Sequence, residues 1–205
     1  MNNHKVDLQL KTGTTTVAVM CKDGIVVAAD KRVTAGNQIV NKNCKKIHII
    51  DNCVLTISGV LSSLERQLRE LRLRIKMKSI ECGRKATVHE VAHLLAGLIY
   101  KKIRKYSTVR EVTSFILGGY DPSGIHLYNL HFDGSLMKID DFVATGSGSV
   151  YAYGTLETLY KKDMSIDEGK DVVVKAVDAA ISRDNCSGNG IDVVVVKKDR
   201  IIENG

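Results

Sequence analysis

A threonine cluster near the start of the sequence contains residue types that could carry chemistry. Gly13 is followed by Thr14, Thr15 and Thr16, and then by an apolar run. A threonine hydroxyl is a weak nucleophile at its own pKa, but the free α-amine at the start of a chain can act as its base. That amine has a pKa of about 7.7–8.0, so part of it is neutral near pH 7. A cut between Gly13 and Thr14 would therefore place a nucleophile and its base in one residue.

The residue before this threonine suits such a cut. The Thr14 hydroxyl must reach the carbonyl of Gly13, and glycine offers the least steric resistance and the most backbone freedom. Removal of residues 1–13 would then be self-catalysed and would leave residues 14–205 as the mature domain. Threonine and valine also fit an ordinary β-strand, so the cluster alone leaves a purely structural interpretation open.

A second motif with chemical potential is His89-Glu-Val-Ala-His93, which matches the zincin pattern H-E-x-x-H on a predicted helix. A zincin needs a third protein ligand, and the metzincin continuation is absent because Ala96 and Ile99 occupy the required glycine and histidine positions. Glu111 could still supply a carboxylate. The buried stripe of this helix turns both histidines towards its flank, so we expect a polar helix surface and no metal site.

The composition indicates one domain in a reducing compartment. A chain of 205 residues can bury one substantial core. No apolar run reaches the roughly 18 residues of a membrane span, and the first 13 residues lack the apolar core of a signal peptide. The five cysteines form an odd set without a Cys-x-x-Cys pair. We therefore expect a soluble, cytoplasmic protein without a membrane partner.

The formal charge of +7 raises the question of nucleic acid, and Arg66 to Lys78 is the densest basic patch. It contains no aromatic residue of the kind that stacks on single strands. Leu64, Leu68, Leu71 and Ile75 recur at helical spacing, so the cations are typical of the solvated face of an amphipathic helix. We expect no nucleic-acid partner.

The spacing of apolar residues along the chain predicts strands and helices that would position the candidate residues. Strands alternate with pairs of helices in blocks, which indicates an α+β fold with antiparallel sheets covered by helix pairs. The predicted strands are Val17–Met20, Ile25–Ala29, Lys46–Ile50, Val54–Ser58, Ser114–Gly119, Ile125–Leu130, Leu136–Ile139, Phe142–Ala144, Ile191–Val196 and Ile201–Ile202, and the predicted helices are Ser62–Lys78, Thr87–Arg104, Val150–Lys161 and Ser165–Ser182. Residues 81–85 are expected to form a short polar connection between the first two helices.

Six segments, in the correct order from Gly13 to about Val196, give the chain a resemblance to a known family. They are GTTTVAV (13–19), VVAADKRVTAG (26–36), CKKIHII (44–50), ISG (57–59), ATGSGSVYAYG (144–154) and SRDNCSG (182–188). The sequence resembles the archaeal type of proteasome β subunit, within the N-terminal nucleophile hydrolases. This resemblance implies a four-layer αββα sandwich of two antiparallel sheets flanked by helix pairs.

The resemblance also implies a catalytic site. Thr14 is the nucleophile and Asp30 and Lys46 are its direct partners, while a supporting network and the Gly59 amide, as the oxyanion hole, complete the site. A cation near Thr14 favours a deprotonated hydroxyl and a neutral amine, and a carboxylate orients the lysine. Asp30 follows an apolar run, an unusual place for an unpaired charge. The positions that match the supporting network are Ser147, Asp184 and Ser187.

The implied activity is threonine endopeptidase cleavage of unfolded proteins, without a metal or organic cofactor. Uncharged pocket positions suggest cleavage after hydrophobic residues, and Thr34 and Gly59 would pair with the substrate backbone. The positions that match the pocket are Val33, Cys44, Ile57 and Leu61. The implied partners are other β subunits in a seven-membered ring and a ring of α subunits. The alternative is a silent structural subunit that keeps residues 1–13.

Overall fold

The computed structural model describes residues 13–59, 61–104 and 112–204, without the side chains of residues 61–63 and 204. Twelve strands and four helices are assigned in this part of the chain. In chain order they are β1 (Thr15–Cys21), β2 (Gly24–Asp30), β3 (Val33–Ala35), β4 (Gln38–Asn41), β5 (Ile47–Ile50), β6 (Cys53–Gly59), α1 (Leu61–Cys82), α2 (Val88–Ile103), β7 (Thr113–Asp121), β8 (Gly124–Leu130), β9 (Leu136–Ile139), β10 (Phe142–Gly146), α3 (Ser149–Leu159), α4 (Ile166–Ile181), β11 (Ile191–Lys197) and β12 (Ile201–Asn204).

Two five-stranded antiparallel sheets form the centre of the fold. The first has the strand order β10-β1-β2-β11-β12, and the second has the order β5-β6-β7-β8-β9. Strands β3 and β4 form a separate hairpin. Since β1 pairs with both β2 and β10, the residues that begin β1 lie between two neighbouring strands.

Alternation along the strands explains the four layers. Val17 and Val19 on β1 pack with residues of α3 and α4, whereas Ala18 points to the other side and packs with residues of the second sheet. Helices α1 and α2 cover the outer face of the second sheet. Both faces of β1 and β2 are therefore buried, which explains their nearly continuous apolar runs. The predicted α+β fold, an αββα sandwich, is confirmed.

Helix α1 has the amphipathic character that its sequence predicts, but it is longer than predicted. Its apolar stripe at Leu64, Leu68, Leu71 and Ile75 is buried and most of its cations are exposed. The helix ends at Cys82, so the prediction of a connection that begins at residue 81 was wrong. The chain leaves the helix at Gly83, whose φ of +64° suits a glycine after a helix end.

The capping box predicted for the second helix is confirmed. The Thr87 hydroxyl accepts a hydrogen bond from Glu90 N, and the Glu90 carboxylate accepts one from Thr87 N at 2.8 Å. Every helix in the described part of the chain is too short or too polar to cross a lipid bilayer.

Candidate active site

Thr14 lies immediately before β1 and is almost fully buried, with 4% of its surface exposed. Its hydroxyl donates a hydrogen bond to the carbonyl oxygen of Gly13 at 2.6 Å, and its backbone nitrogen donates to Ser147 Oγ at 3.2 Å. Gly146, at the end of β10, has a φ of +98°, and a Cβ there would lie 1.9 Å from the Thr14 carbonyl oxygen. Only glycine leaves room for the threonine at this position.

The bond between Gly13 and Thr14 also runs close to the backbone of Cys186. A Cβ on Gly13 would lie 1.7 Å from Cys186 Cβ and 2.8 Å from Cys186 Cα. No side chain fits there without a shift of the main chain. The fold therefore requires glycine at position 13 for lack of space, which is a separate reason from the ease of cleavage considered from the sequence.

Asp30 and Lys46 form a buried ion pair beside this threonine. Lys46 Nζ lies 2.6 Å from Asp30 Oδ1, and the two residues are 2% and 0% exposed. Asp30 ends β2, and Lys46 immediately precedes β5 in the other sheet. The pair therefore links the two sheets next to the first residue of β1.

The Asp30 carboxylate also accepts three backbone hydrogen bonds. Thr15 N donates to Oδ1 at 2.9 Å, while Gly188 N and Arg32 N donate to Oδ2 at 2.9 and 3.0 Å. Both oxygens are thus fully engaged by donors. These hydrogen bonds compensate for the free-energy cost of removing the carboxylate from water.

Burial and the neighbouring carboxylate act in opposite directions on the pKa of Lys46. Removal of its ammonium from water lowers the pKa of Lys46, and the Asp30 carboxylate opposes that effect. Lys46 and Thr14 line the same cavity. The ion pair with Asp30 therefore lies in the same cavity as the Thr14 side chain.

A second carboxylate, Asp184, organises the other side of Thr14. Its Oδ2 accepts hydrogen bonds from Ser147 Oγ at 2.6 Å and from Ser187 Oγ at 2.7 Å, and its Oδ1 accepts one from Cys186 N at 3.1 Å. Ser147 in turn contacts the Thr14 nitrogen. The structure therefore brings all six predicted catalytic residues, on both carboxylate networks, to the start of β1.

A small cavity, lined by Gly13 and Thr14 themselves, lies beside the threonine. Three of the predicted pocket residues, Val33, Cys44 and Ile57, line it. Burial raises the pKa of the Cys44 thiol, which keeps it protonated and uncharged. The residues that line the cavity are therefore apolar or uncharged, apart from Lys46.

Three further predicted positions have different places around the cavity. Thr34 does not line it, but its hydroxyl accepts a hydrogen bond from Gly13 N at 3.2 Å. Gly59 lines the cavity at the end of β6, with a φ of +132° and with Val112 O only 2.3 Å from where a Cβ would be. Leu61 begins α1, but its side chain lies outside the described residues.

Sequence reasoning missed Leu64 as a cavity residue. It lines the cavity from one turn further along α1.

Sequence reasoning also missed Arg32, which ties the two carboxylate networks together. Its Nε donates to Asn189 Oδ1 at 2.8 Å, and its Nη1 donates to the Asn185 carbonyl at 2.9 Å. The guanidinium therefore clamps the loop after α4, while the backbone of the same residue binds Asp30. The signal available in the sequence was its position two residues after the buried aspartate.

The two histidines of the zincin-like motif lie on the exposed flank of α2, as predicted. His89 Nδ1 is 3.3 Å from the Tyr128 hydroxyl, and the rings of His89 and His93 are 4.3 Å apart. Within the described ranges, no group of three or more His, Cys, Asp or Glu side chains is placed to hold a metal ion. Glu111, the carboxylate considered for a third ligand, lies outside the described residues.

The αββα sandwich, with a threonine at the start of its first strand, has the architecture of the N-terminal nucleophile hydrolases. Comparison with known proteins narrows this class. The family model described as "Proteasome subunit" matches residues 10–196, and the chain belongs to this family.

Its relatives include proteins named as proteasome β subunits, a family known for threonine peptidases. "Proteasome subunit beta" of Archaeoglobus profundus is 38% identical over 195 residues, covering 93% of this chain and 87% of the relative. "Proteasome subunit beta 2" of Staphylothermus marinus is 39% identical over 193 residues, covering 93% of this chain and 90% of the relative. "Proteasome subunit beta" of Methanococcus maripaludis strain C5 is 37% identical over 203 residues, covering 98% and 91%.

Proposed function

We propose that this chain is a catalytic β subunit of a proteasome core particle, a threonine endopeptidase whose nucleophile is Thr14. The observation that carries the proposal is the position of the Thr14 hydroxyl. This hydroxyl donates a hydrogen bond to the Gly13 carbonyl oxygen at 2.6 Å. Thr14 also lines the same cavity as Lys46, which is buried and forms an ion pair with Asp30. The hydroxyl is therefore next to the bond that must break to create the mature N-terminus.

Processing begins with attack of Thr14 Oγ1 on the carbonyl carbon of Gly13. The bond from that carbon to Thr14 N breaks as the bond to Oγ1 forms, which gives an ester and a free Thr14 amine. Water then hydrolyses the ester, so that residues 1–13 leave with a new carboxylate. Before this step the Thr14 nitrogen is an amide and cannot act as a base, so an unprocessed chain does not cleave other peptides.

In the mature chain, the Thr14 amine accepts the proton of the Thr14 hydroxyl as the oxygen attacks a substrate carbonyl. The Lys46 cation favours the ionised hydroxyl, and Asp30 keeps the lysine in place. Gly59 N is proposed to donate to the developing oxyanion, and loss of one such donor typically costs about 10²–10³ in rate. An acyl ester forms on Thr14 and water hydrolyses it. No metal or organic cofactor takes part.

The cavity supports cleavage after hydrophobic residues. Val33, Ile57 and Leu64 give it apolar walls, and the Cys44 thiol is uncharged. An apolar side chain gains free energy as it leaves water for such a wall. Thr34 and Gly59 are proposed to bind the substrate backbone as an added strand.

We also propose that the chain assembles into a seven-membered β ring next to a ring of α subunits, in the cytoplasm, with unfolded proteins as substrates. Membership of the proteasome subunit family supports assembly with other subunits. We further propose that assembly orders the loops around Ser147 and Ser187, so that an isolated monomer is largely unprocessed. A monomer that processes itself as fast as assembled particles would contradict this part of the proposal.

Substitution of Thr14 tests the proposed nucleophile. Particles carrying Thr14→Ala should have no measurable hydrolysis of a hydrophobic fluorogenic peptide, while the matched Thr14→Ser keeps both hydroxyl and amine and should stay active. Equal activity of Thr14→Ala and the parent would overturn the proposal and favour the silent structural subunit.

A further inference from the structure

Thr15, the residue after the proposed nucleophile, has a hydroxyl that is completely buried within the active-site region. Its Oγ1 lies 2.7 Å from Ser187 Oγ, and both residues are 0% exposed. A Cβ on Gly148 would lie 2.0 Å from Thr15 Oγ1, so the backbone before α3 closes tightly over this hydroxyl. As a β-branched residue, threonine also has few rotamers here. The hydroxyl is therefore held in one place.

The hydrogen-bond partners fix the direction in which protons are donated. A carboxylate accepts and does not donate, so Ser187 gives its single hydroxyl hydrogen to Asp184 Oδ2 at 2.7 Å. The 2.7 Å contact between Thr15 and Ser187 must then be donated by Thr15. In the second chain of hydrogen bonds, Thr14 N donates to Ser147 Oγ at 3.2 Å, and Ser147 Oγ donates to the same Asp184 oxygen at 2.6 Å. Asp184 thus ends two hydroxyl chains, one from Thr14 and one from Thr15.

We propose that Thr15 is a positioning residue for the threonine peptidase reaction, acting through Ser187 and Asp184 on the Thr14 amine. Its hydrogen bond keeps the Ser187 hydroxyl turned towards Asp184. The carboxylate is thereby held where Ser147 can bind it and orient the nitrogen of Thr14. This proposal rests on the proposed function, because it assigns Thr15 a part in the chemistry of the same site.

A neighbouring hydroxyl provides a matched control for simple packing. Thr16 is also 0% exposed on β1, but its hydroxyl contacts Thr145 Oγ1 at 2.7 Å and accepts from Thr56 Oγ1 at 3.2 Å. This group bridges the two sheets and has no contact with Asp184. Replacement of Thr16 by valine removes a buried hydroxyl of the same kind, from the same strand, outside the proposed chain.

The experiment compares Thr15→Val, Thr15→Ser and Thr16→Val with the parent, in assembled particles whose chains begin at Thr14. Steady-state kcat and KM are measured with a hydrophobic fluorogenic peptide across pH 6–9. Thr15→Val should lower kcat about tenfold, as expected when a buried hydroxyl loses a hydrogen-bond partner, and leave KM within about twofold. Thr15→Ser should restore kcat to within about threefold of the parent, and Thr16→Val should stay within about twofold.

Two outcomes separate this proposal from the proposed function. If the parent is active and Thr15→Val is equally active, the role of Thr15 is overturned but the proposed function is not. The same conclusion follows if Thr16→Val is as slow as Thr15→Val. A processed parent without peptidase activity overturns the proposed function and this proposal with it.

A double-variant cycle with Ser187→Ala provides the second measurement. If Thr15 acts through Ser187, the double variant is no slower than Ser187→Ala alone, whereas additive losses overturn the coupling. If Thr15→Val does not assemble, Thr15→Ala takes its place in the same cycle.

Discussion

Replacement of Asp30 by asparagine is the change for which the structure makes the most detailed prediction. Both carboxylate oxygens accept from donors: Oδ1 from Thr15 N and Lys46 Nζ, and Oδ2 from Gly188 N and Arg32 N. An asparagine has only one acceptor oxygen. In either orientation of its amide, the NH₂ group faces two donors that it cannot satisfy.

The expected cost follows from these lost contacts. A buried group left without its hydrogen-bond partner costs about 1–3 kcal/mol, and breaking a buried ion pair from one side typically costs about 3–5 kcal/mol. The two estimates describe overlapping contacts, so we expect a total loss of about 4 kcal/mol in the free energy of unfolding. For a chain of this length that corresponds to a fall in Tm of roughly 10 °C.

The loss should also depend on pH in a defined direction. Burial already lowers the pKa of Lys46 in the folded chain, and Asp30 opposes that effect. Loss of the carboxylate therefore lowers the pKa of Lys46 further. Between its folded pKa and the unfolded value of about 10.4, the unfolded chain binds more protons, so stability rises with pH. The pH range in which stability rises therefore begins at a lower pH in Asp30→Asn than in the parent. The difference in free energy of unfolding between the two proteins should shrink from pH 7 to pH 10.

Thermal unfolding followed by circular dichroism, at one fixed protein concentration, measures both effects. The matched control is Asp192→Asn, which breaks the ion pair to Lys31 at 2.8 Å with side chains 29% and 28% exposed. A partly exposed pair of this kind contributes about 1 kcal/mol or less. Equal Tm values for the two variants, or an Asp30→Asn deficit that grows towards pH 10, would refute the reasoning.

Further predictions concern processing, reactivity and helix stability. Gly13→Ala should slow cleavage of the bond after residue 13 at least tenfold, since its Cβ would overlap Cys186 Cβ, and intact mass against time measures the rate. With iodoacetamide at pH 8, the exposed Cys82 should be labelled first, while Cys53, whose pKa burial raises to about 12, should stay unlabelled in peptide mass maps. Gly97→Ala should raise the free energy of unfolding by about 1 kcal/mol in urea melts, because α2 has open space at this position. A destabilised Gly97→Ala would contradict the helix assignment, and early labelling of Cys53 would contradict its burial.

The sequence pattern was sufficient for the α+β class, and the four layers came from the family resemblance. The run from Gly24 to Asp30 is apolar until its last residue, and β2 is buried along its whole length as a result. The change to helical spacing after β6 also marked the start of α1 to within one residue, although the helix extends further than predicted. The hairpin of β3 and β4 was missed because β3 has three residues and every residue of β4 is exposed, so neither shows an alternating pattern.

The site was predicted residue by residue only where a motif carried it. Thr14, Asp30 and Lys46 could be named from their segments, and the fold brings them together. Thr15 and Arg32 could not be named, because their partners lie more than 150 residues away in the chain, in the loop after α4. Contacts of that kind depend on the packing of β1 against distant loops, which local patterns do not contain.

The measurement that tests the central claim most directly is the intact mass of the chain recovered from assembled, peptide-hydrolysing particles. We expect a mature chain that begins at Thr14 in the parent and a chain that keeps residues 1–13 in Thr14→Ala. Particles that hydrolyse peptides while every chain retains residues 1–13 would contradict a mechanism based on the free Thr14 amine.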